Sequence, residues 1–350
     1  MQIPLRRVGK TGLKLPLLGL GTAPLANLWE WQQESVVKGT FQGAWDNGVK
    51  YIDTAPFYGH TLAEHRVGEF LRDQDSDEYR ITTKVGRVYS RFQGRAKDYD
   101  GGHFGKFWFR GRPMVERYDY TYGGIMRSYE DSIQRLGINR IDALIIHDID
   151  SQHQFGGEPD VIAALKDLEK GGMRALEELK SCGEVQAIGA GKNFAHMIPR
   201  FMDIVKLDFF MVANCYTLLE QSMMDELDRM QKEGVSMIIA APYASGILAT
   251  GVVKDAKFRY APAEADKIKR CLELEALCDK HGVPLKAAAL QFGMNHPVTC
   301  SVVPGSVNLQ EVTQNVETLQ VDIPVAFWEE MVSTGLIDSR SVIPKVSGQH

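Results

Sequence analysis

Short unbroken apolar runs recur along the chain at 17–20, 49–52, 81–83, 141–146, 185–188, 209–212, 235–240 and 298–303. Most do not alternate apolar with polar positions, as expected for strands buried on both faces. Between them the apolar positions fall at helical spacing, as at 125–136, 173–179, 223–232 and 265–280. Ahead of the first run, residues 5–8 and 13–15 flank Gly9-Lys10-Thr11-Gly12 and read as a small hairpin. Eight strands alternating with helices predict an α/β fold, a (β/α)8 TIM barrel with an N-terminal β-hairpin, over residues 1–350 as one domain. A doubly wound sheet would need a G-x-G-x-x-G turn after an early strand. Leu18-Gly19-Leu20-Gly21-Thr22-Ala23 lacks the third glycine and an immediate helix.

Two segments outrun ordinary barrel connections. Residues 87–122 are rich in aromatic and glycine residues, including Tyr89, Phe92, Tyr99, His103, Phe104, Phe107, Trp108, Phe109, Tyr118 and Tyr120. Residues 148–157 follow the fourth run. Both begin where strands end, so both are expected as long loops on the C-terminal face. There they either wall a substrate site or pack on themselves.

The 350 residues are 44% hydrophobic and 24% charged, enough for a sizeable core. The net charge of −5 is spread along the chain, which argues against a nucleic-acid surface. No apolar run has membrane-spanning length, and Met1-Gln2-Ile3-Pro4-Leu5-Arg6-Arg7 is not followed by a signal-type apolar stretch. The five scattered cysteines read as reduced, in a cytoplasmic protein that holds no metal there. Oligomeric state, monomer or homo-oligomer, is left open.

The candidate chemistry lies at strand ends. Asp53 and Tyr58 follow the second run in Tyr51-Ile-Asp-Thr-Ala-Pro-Phe-Tyr-Gly59; Lys84 ends the third and His147 the fourth. Singly, Asp53 reads as a strand-end cap, Tyr58 as a half-buried core phenol and Lys84 as a solvated strand end. His147 reads as a core histidine, or as a metal ligand with Asp148 and Asp150. A parallel barrel gathers strand ends on one face, and together the four form a proton-transfer device. A phenol titrates near pKa ~10. An ammonium beside it favours the phenolate, a carboxylate holds the ammonium, and an imidazole orients the reacting oxygen.

These residues resemble those of the aldo-keto reductase superfamily. The matching motifs are Gly48-Val-Lys-Tyr-Ile-Asp-Thr-Ala-Pro-Phe-Tyr-Gly59, Ile81-Thr-Thr-Lys84, Ser132-Ile-Gln-Arg-Leu-Gly137, Arg140-Ile-Asp-Ala-Leu-Ile-Ile-His147 and Val303-Pro-Gly-Ser306. The resemblance implies that Asp53, Tyr58, Lys84 and His147 are catalytic, with Tyr58 as general acid/base. It implies hydride transfer to or from a nicotinamide on a (β/α)8 barrel. The run from Tyr118 to Gly137, with Ile146-His147-Asp148, is similar to the sugar 1-dehydrogenase branch. That branch takes in D-threo-aldose and L-galactose dehydrogenases, with pyridoxal 4-dehydrogenase beside it. A small-molecule substrate of sugar or pyridoxal type follows, with NADPH-dependent carbonyl reduction and a cofactor-sensing subunit as alternatives.

Carried over residue by residue, the cofactor positions are Gly21, Thr22, Asp53, Gly191, Asn193, Asn214, Tyr243, Ser245, Gly246, Leu248, Gly305, Ser306, Glu311, Gln314 and Asn315. Tyr243 or Tyr216 is the expected nicotinamide-stacking ring. Substrate-wall positions are Tyr58, His147, Trp29, Trp108 and Tyr120. Where NADP-dependent relatives carry a Lys and an Arg for the 2′-phosphate, this chain has Gly305 and, near the Arg position, Glu311. An acid repels a phosphate of roughly −1.5 to −2 charge, but accepts a hydrogen bond from a free ribose hydroxyl. NAD is therefore expected over NADP, and with it the oxidative direction.

Overall fold

The computed structural model describes residues 2–101, 107–150 and 156–344. His103 and Phe104, and residues 151–155 of the segment after His147, lie outside the described residues. Eight parallel strands stand in chain order around a barrel: Leu20–Gly21, Tyr51–Asp53, Arg80–Val85, Ala143–Ile146, Ala187–Lys192, Phe209–Ala213, Ser236–Ala240 and Thr299–Val303. The first is shorter than the run at 17–20 predicts. Residues 17–19 pair with the last strand instead, through Gly19 N–H to Val302 O (2.9 Å) and Val302 N–H to Leu17 O (2.8 Å). Those bonds, with the bridges Leu18–Val302 and Gly21–Gly305, bring strand eight against strand one.

Alternate strand positions fill the barrel. Tyr51, Ala143, Ile145, Ala187, Phe209, Met211, Ile238 and Cys300 form one interior cluster. The N-terminal hairpin, Leu5–Arg7 paired with Lys14–Pro16, adds Val8, Leu13 and Leu15 to it and plugs the lower end. Its turn requires Gly9: φ is 52°, and a Cβ would stand 2.5 Å from Asp208 O.

Helices follow the strands in turn and bury the outer strand faces. Helix Tyr122–Leu136 shows how the sequence sets one. Thr121 Oγ1 caps it, accepting from Gly124 N–H (3.2 Å). Ile125, Tyr129, Ser132 and Leu136 face the core, and Gly137 in the left-handed region ends it. Helices Glu158–Asp167 and Met173–Ser181 run on through a π-turn at Leu168–Gly172, longer than the 173–179 reading.

The 87–122 segment is not simply a loop. Arg87–Arg91 pairs antiparallel with Met114–Tyr118 as a hairpin on the C-terminal face. Its far part returns to the loop after strand one, through a Leu28–Trp108 bridge and Trp29 N–H to Phe107 O (2.7 Å). A second hairpin, Lys257–Phe258 with Ala261–Pro262, follows strand seven and was not expected from the sequence. Its turn residues, Arg259 and Tyr260, have φ of 48° and 65°. Such a turn ordinarily takes Gly or Asn, so it leaves no cue in the sequence. Among the described residues no helix is long and apolar enough to cross a membrane.

Candidate active site

The four strand-end residues meet at the C-terminal mouth. Asp53, at the end of strand two, and Lys84, on strand three, point inward on alternate-residue registers shared with Tyr51 and Thr82. Lys84 Nζ donates to Asp53 Oδ2 (2.7 Å) and to Thr54 O (2.9 Å). Thr82 Oγ1 donates to the other carboxylate oxygen, Asp53 Oδ1 (2.7 Å). Both charged groups are about 3% exposed, and among the described residues each is compensated by the other and by these bonds. Burial pushes the Asp53 carboxyl upward, while the Lys84 ammonium and the Thr82 hydroxyl pull it back.

Tyr58 lies half-buried above this pair, with the Lys84 ammonium 4.7 Å from its ring centre. His147, buried at the end of strand four, presents its ring edge-on to Tyr58 with centroids 6.3 Å apart. From the sequence, Lys84 is expected to lower the phenol pKa. The structure corrects this: Tyr58 is raised well above the ordinary value, chiefly by burial, then by the Asp53 and Asp148 carboxylates. Arg87 is the cation that opposes the shift. Lys84 is neutralised at short range by Asp53, so the pair presents a dipole to the phenol rather than a net charge.

An aromatic rim surrounds this floor. Trp108 is buried against Phe57 (5.2 Å) and Tyr58 (5.9 Å). Its Nε1–H has no acceptor among the described residues. Trp29 faces Tyr260 (5.7 Å), with the Lys257 ammonium 3.9 Å from its ring. Tyr260 also meets Phe107 (5.9 Å) and stands close enough to Tyr58, Asp148 and Lys84 to feel their charges. Tyr120 is elsewhere: its hydroxyl donates to His147 O (2.6 Å) and its ring lies against Tyr118, so it braces strand four from the side.

The expected cofactor positions fall into three groups. At strand one, Gly21 pairs with Gly305, and Thr22 donates from its hydroxyl to Asp53 O (2.9 Å). At strands five and six, Gly191 is buried in the sheet and Asn193 Nδ2 donates to Asp148 Oδ1 (2.9 Å). Asn214, with φ of 61°, has a buried Oδ1 that no described group satisfies. At strands seven and eight, Ala244, Ser245 and Gly246 are three successive left-handed residues, with φ of 48°, 63° and 101°. Leu248 follows in the short helix Ile247–Thr250. Tyr243 hydroxyl donates to Asn315 Oδ1 (2.8 Å), and Asn315 Nδ2 donates to Ser306 Oγ (3.1 Å).

That chain ties the Tyr243 hydroxyl to the helix after strand eight. Tyr216 is fully buried and stacked on Phe292 (4.8 Å). One face of the Tyr216 ring is thus already covered by Phe292. Glu311 Oε2 accepts from Val307 N–H (3.0 Å), and Asn308 Oδ1 accepts from Glu311 N–H (2.9 Å), so the acid also caps helix Leu309–Thr318. Gln314 Oε1 accepts from Lys286 Nζ (3.0 Å), and Lys286 feels the Glu311 charge.

The orphaned amide oxygen of Asn214 and the left-handed run at 244–246 fit a dinucleotide. The first awaits a donor, and consecutive turned peptide units form an anion-accepting concavity. The parallel eight-stranded barrel thus carries, at its C-terminal mouth, a buried carboxylate–ammonium pair under a phenol, groups suited to proton transfer. The chain belongs to the aldo/keto reductase family, whose sequence model matches residues 17–334.

Among its relatives, pyridoxal 4-dehydrogenase of Microbacterium luteolum is 37% identical, over 95% of this chain and 97% of that protein. D-threo-aldose 1-dehydrogenase of a Pseudomonas species is 34% identical, over 93% and 96%. An aldo-keto reductase structure from Bacillus halodurans has the same fold, with a TM-score of 0.72 at 22% identity over 98% of this chain and 99% of that one. The protein is thus an oxidoreductase acting on CH–OH groups of small molecules, in a family that uses nicotinamide cofactors. Sequence reasoning missed Arg87 and Tyr260, neither of which sits in a motif recognisable from residue spacing, and it named Asp148 only as a possible metal ligand and as part of Ile146-His147-Asp148.

Proposed function

We propose that this enzyme oxidises a cyclic hemiacetal carbon to a lactone with NAD, the preferred substrate being a sugar of the L-fucose, L-galactose or D-threo-aldose type. The carrying observation is the buried Asp53–Lys84 pair beneath a half-exposed Tyr58, with His147 opposite. Tyr58 takes the hydroxyl proton, and His147 lines the site opposite it, beside the oxygen that becomes the carbonyl. Lys84 and Asp53 fix the floor on which Tyr58 sits. NAD, when bound, supplies the hydride acceptor, held by Asn193 and Asn214, by the 244–248 turn and by Gly21, Gly305, Ser306 and Asn315. Because burial raises the phenol, Tyr58 keeps its proton at neutral pH in the free protein. Oxidation through it as base therefore speeds up as pH rises into the alkaline range.

Support for NAD comes from Gly305 and Glu311. A Cβ at 305 would stand 2.6 Å from Pro24 Cγ, so a lysine there is opposed by shape as well as absent. Glu311 adds negative charge at the same helix start, held by its capping bond. Lys286 nearby favours the alternative, an NADP-dependent reductase, by bringing an ammonium to that patch. The ratio of kcat/KM for NAD and NADP decides between them, and a strong NADP preference sinks the oxidative reading.

A second substrate reading follows from the rim. Phe57, Trp108, Trp29 and Tyr260 make an aromatic wall that suits a flat ring. Pyridoxal, the substrate named for one relative, carries an aldehyde beside a hydroxymethyl group and closes to a cyclic hemiacetal, so the same chemistry serves it.

A further inference from the structure

Behind His147 lies a buried charge cluster that proton transfer through Tyr58 does not itself require. Asp148 Oδ2 accepts from Arg87 Nη2 (2.8 Å) and stands 3.2 Å from His147 Nε2. Its other oxygen, Oδ1, accepts from Asn193 Nδ2 (2.9 Å). Arg87 reaches on through Nη1 to Glu116 Oε1 (2.8 Å), and its guanidinium faces Phe57 (4.2 Å) and Tyr118 (5.0 Å). Arg87 is 1% exposed, His147 4% and Asp148 8%. One carboxylate thus gathers groups from the ends of strands three, four and five.

Neighbouring side chains on an extended strand point to opposite faces. Asp148 follows His147 directly, yet its carboxylate lies beside the His147 ring. The backbone at Asp148 breaks the alternation with a φ of 29°, an uncommon conformation for a residue with a side chain. A carboxylate only accepts hydrogen bonds, so of the two neutral forms of the ring the one with its proton on Nε2 suits this contact.

We propose that Asp148 is a positioning residue for His147: it fixes the imidazole plane and keeps the proton on Nε2. Arg87 and Glu116 extend that setting into the two strands of the 87–118 hairpin. The same hairpin ends in Trp108 at the substrate mouth, so the seating of the substrate wall and the orientation of His147 share one buried joint. The catalytic consequence rests on His147 acting in the oxidoreductase site proposed above; the structural claim does not.

The test uses the full chain labelled with ¹⁵N-histidine. The His147 ring signals are assigned by their loss in His147→Gln and read by long-range ¹H–¹⁵N correlation. The wild type is expected to carry its proton on Nε2, and Asp148→Asn to shift the ring nitrogens or mix the tautomers. With an active substrate, Asp148→Asn is also expected to lower kcat by about tenfold to a hundredfold, by analogy with the loss of a partner that orients a metal-bound histidine. A wild-type His147 protonated only on Nδ1 overturns the proposal without any variant, and so does an Asp148→Asn spectrum identical to wild type. Shifted ring signals with unchanged kcat overturn the catalytic link. If no substrate is oxidised, the proposed function falls, and the ring-nitrogen reading still decides the role of Asp148.

Discussion

The floor of the site and its rim are built differently. The floor, Asp53, Thr82, Lys84 and His147, stands on barrel strands in registers fixed by parallel pairing, and its polar atoms bond one another at 2.7–2.9 Å where Lys84 and Thr82 meet Asp53 and Thr54. The rim, Trp29, Trp108 and Tyr260, stands on two hairpins and a loop that meet through aromatic contacts at 5.7–5.9 Å and a few backbone bonds. A strand end can place an atom within tenths of an ångström; a hairpin tip offers shape and adjustability. The chemistry is therefore assigned to the floor and substrate choice to the rim. Substitutions in the two regions should divide between kcat and KM.

The largest effect is expected from Tyr58→Phe, which keeps the ring and removes its hydroxyl above the Asp53–Lys84 pair. The turnover number should fall by roughly 10²–10⁴-fold with NAD affinity and Tm unchanged. Retained wild-type turnover would remove Tyr58 from the role of base. Lys84→Met comes next. It should cost nearly as much activity and also destabilise by about 3–5 kcal/mol, because Asp53 is left buried without its partner. Denaturant unfolding reads the second part, and a loss of activity with wild-type stability would contradict the ion-pair account.

On the rim, Trp108→Phe keeps an aromatic ring but deletes the buried indole N–H that has no acceptor among the described residues. If substrate satisfies it, KM should rise by about tenfold, the worth of roughly one hydrogen bond, with kcat nearly held. A matching fall in kcat would place Trp108 with the floor instead.

The smallest effect concerns Lys192, buried between strand five and helix Met197–Ile204 with its ammonium 3.6 Å from the Phe201 ring centre. Burial lowers its pKa to about 7, against the opposing pull of Asp150 and Asp148. The folded state then binds fewer protons than the unfolded state between about pH 7 and ~10.4, so this group's contribution rises with pH across that window. Relative to Lys192→Met, the wild-type Tm should gain as pH rises from about 7 toward ~10. A Tm difference flat in pH would show that Lys192 is not held neutral.

The floor was legible in the sequence because strands advertise themselves: apolar runs at 49–52, 81–83 and 141–146 end in Asp53, Lys84 and His147. Parallel pairing converts those ends into one cluster. The electrostatics were not legible. Lys84 beside Tyr58 suggests a lowered phenol, but burial and the Asp53 charge, both products of packing, reverse the sign. The rim was half legible. Trp29 and Trp108 were picked out as large aromatics in loops, whereas Tyr120 turned inward to the His147 carbonyl. Tyr260 rides a left-handed turn made without Gly or Asn, and Arg87 and Asp148 meet only because φ at Asp148 reverses a side chain. Local spacing carries no trace of either.

The most direct test follows NAD reduction by the purified wild-type chain with L-fucose, L-galactose, D-arabinose and pyridoxal, from neutral to alkaline pH. The account predicts turnover with at least one of these cyclic hemiacetals, a lactone product, and a rate that climbs with pH. No NAD reduction with any of them, or reduction that is fastest below neutral pH, would contradict it.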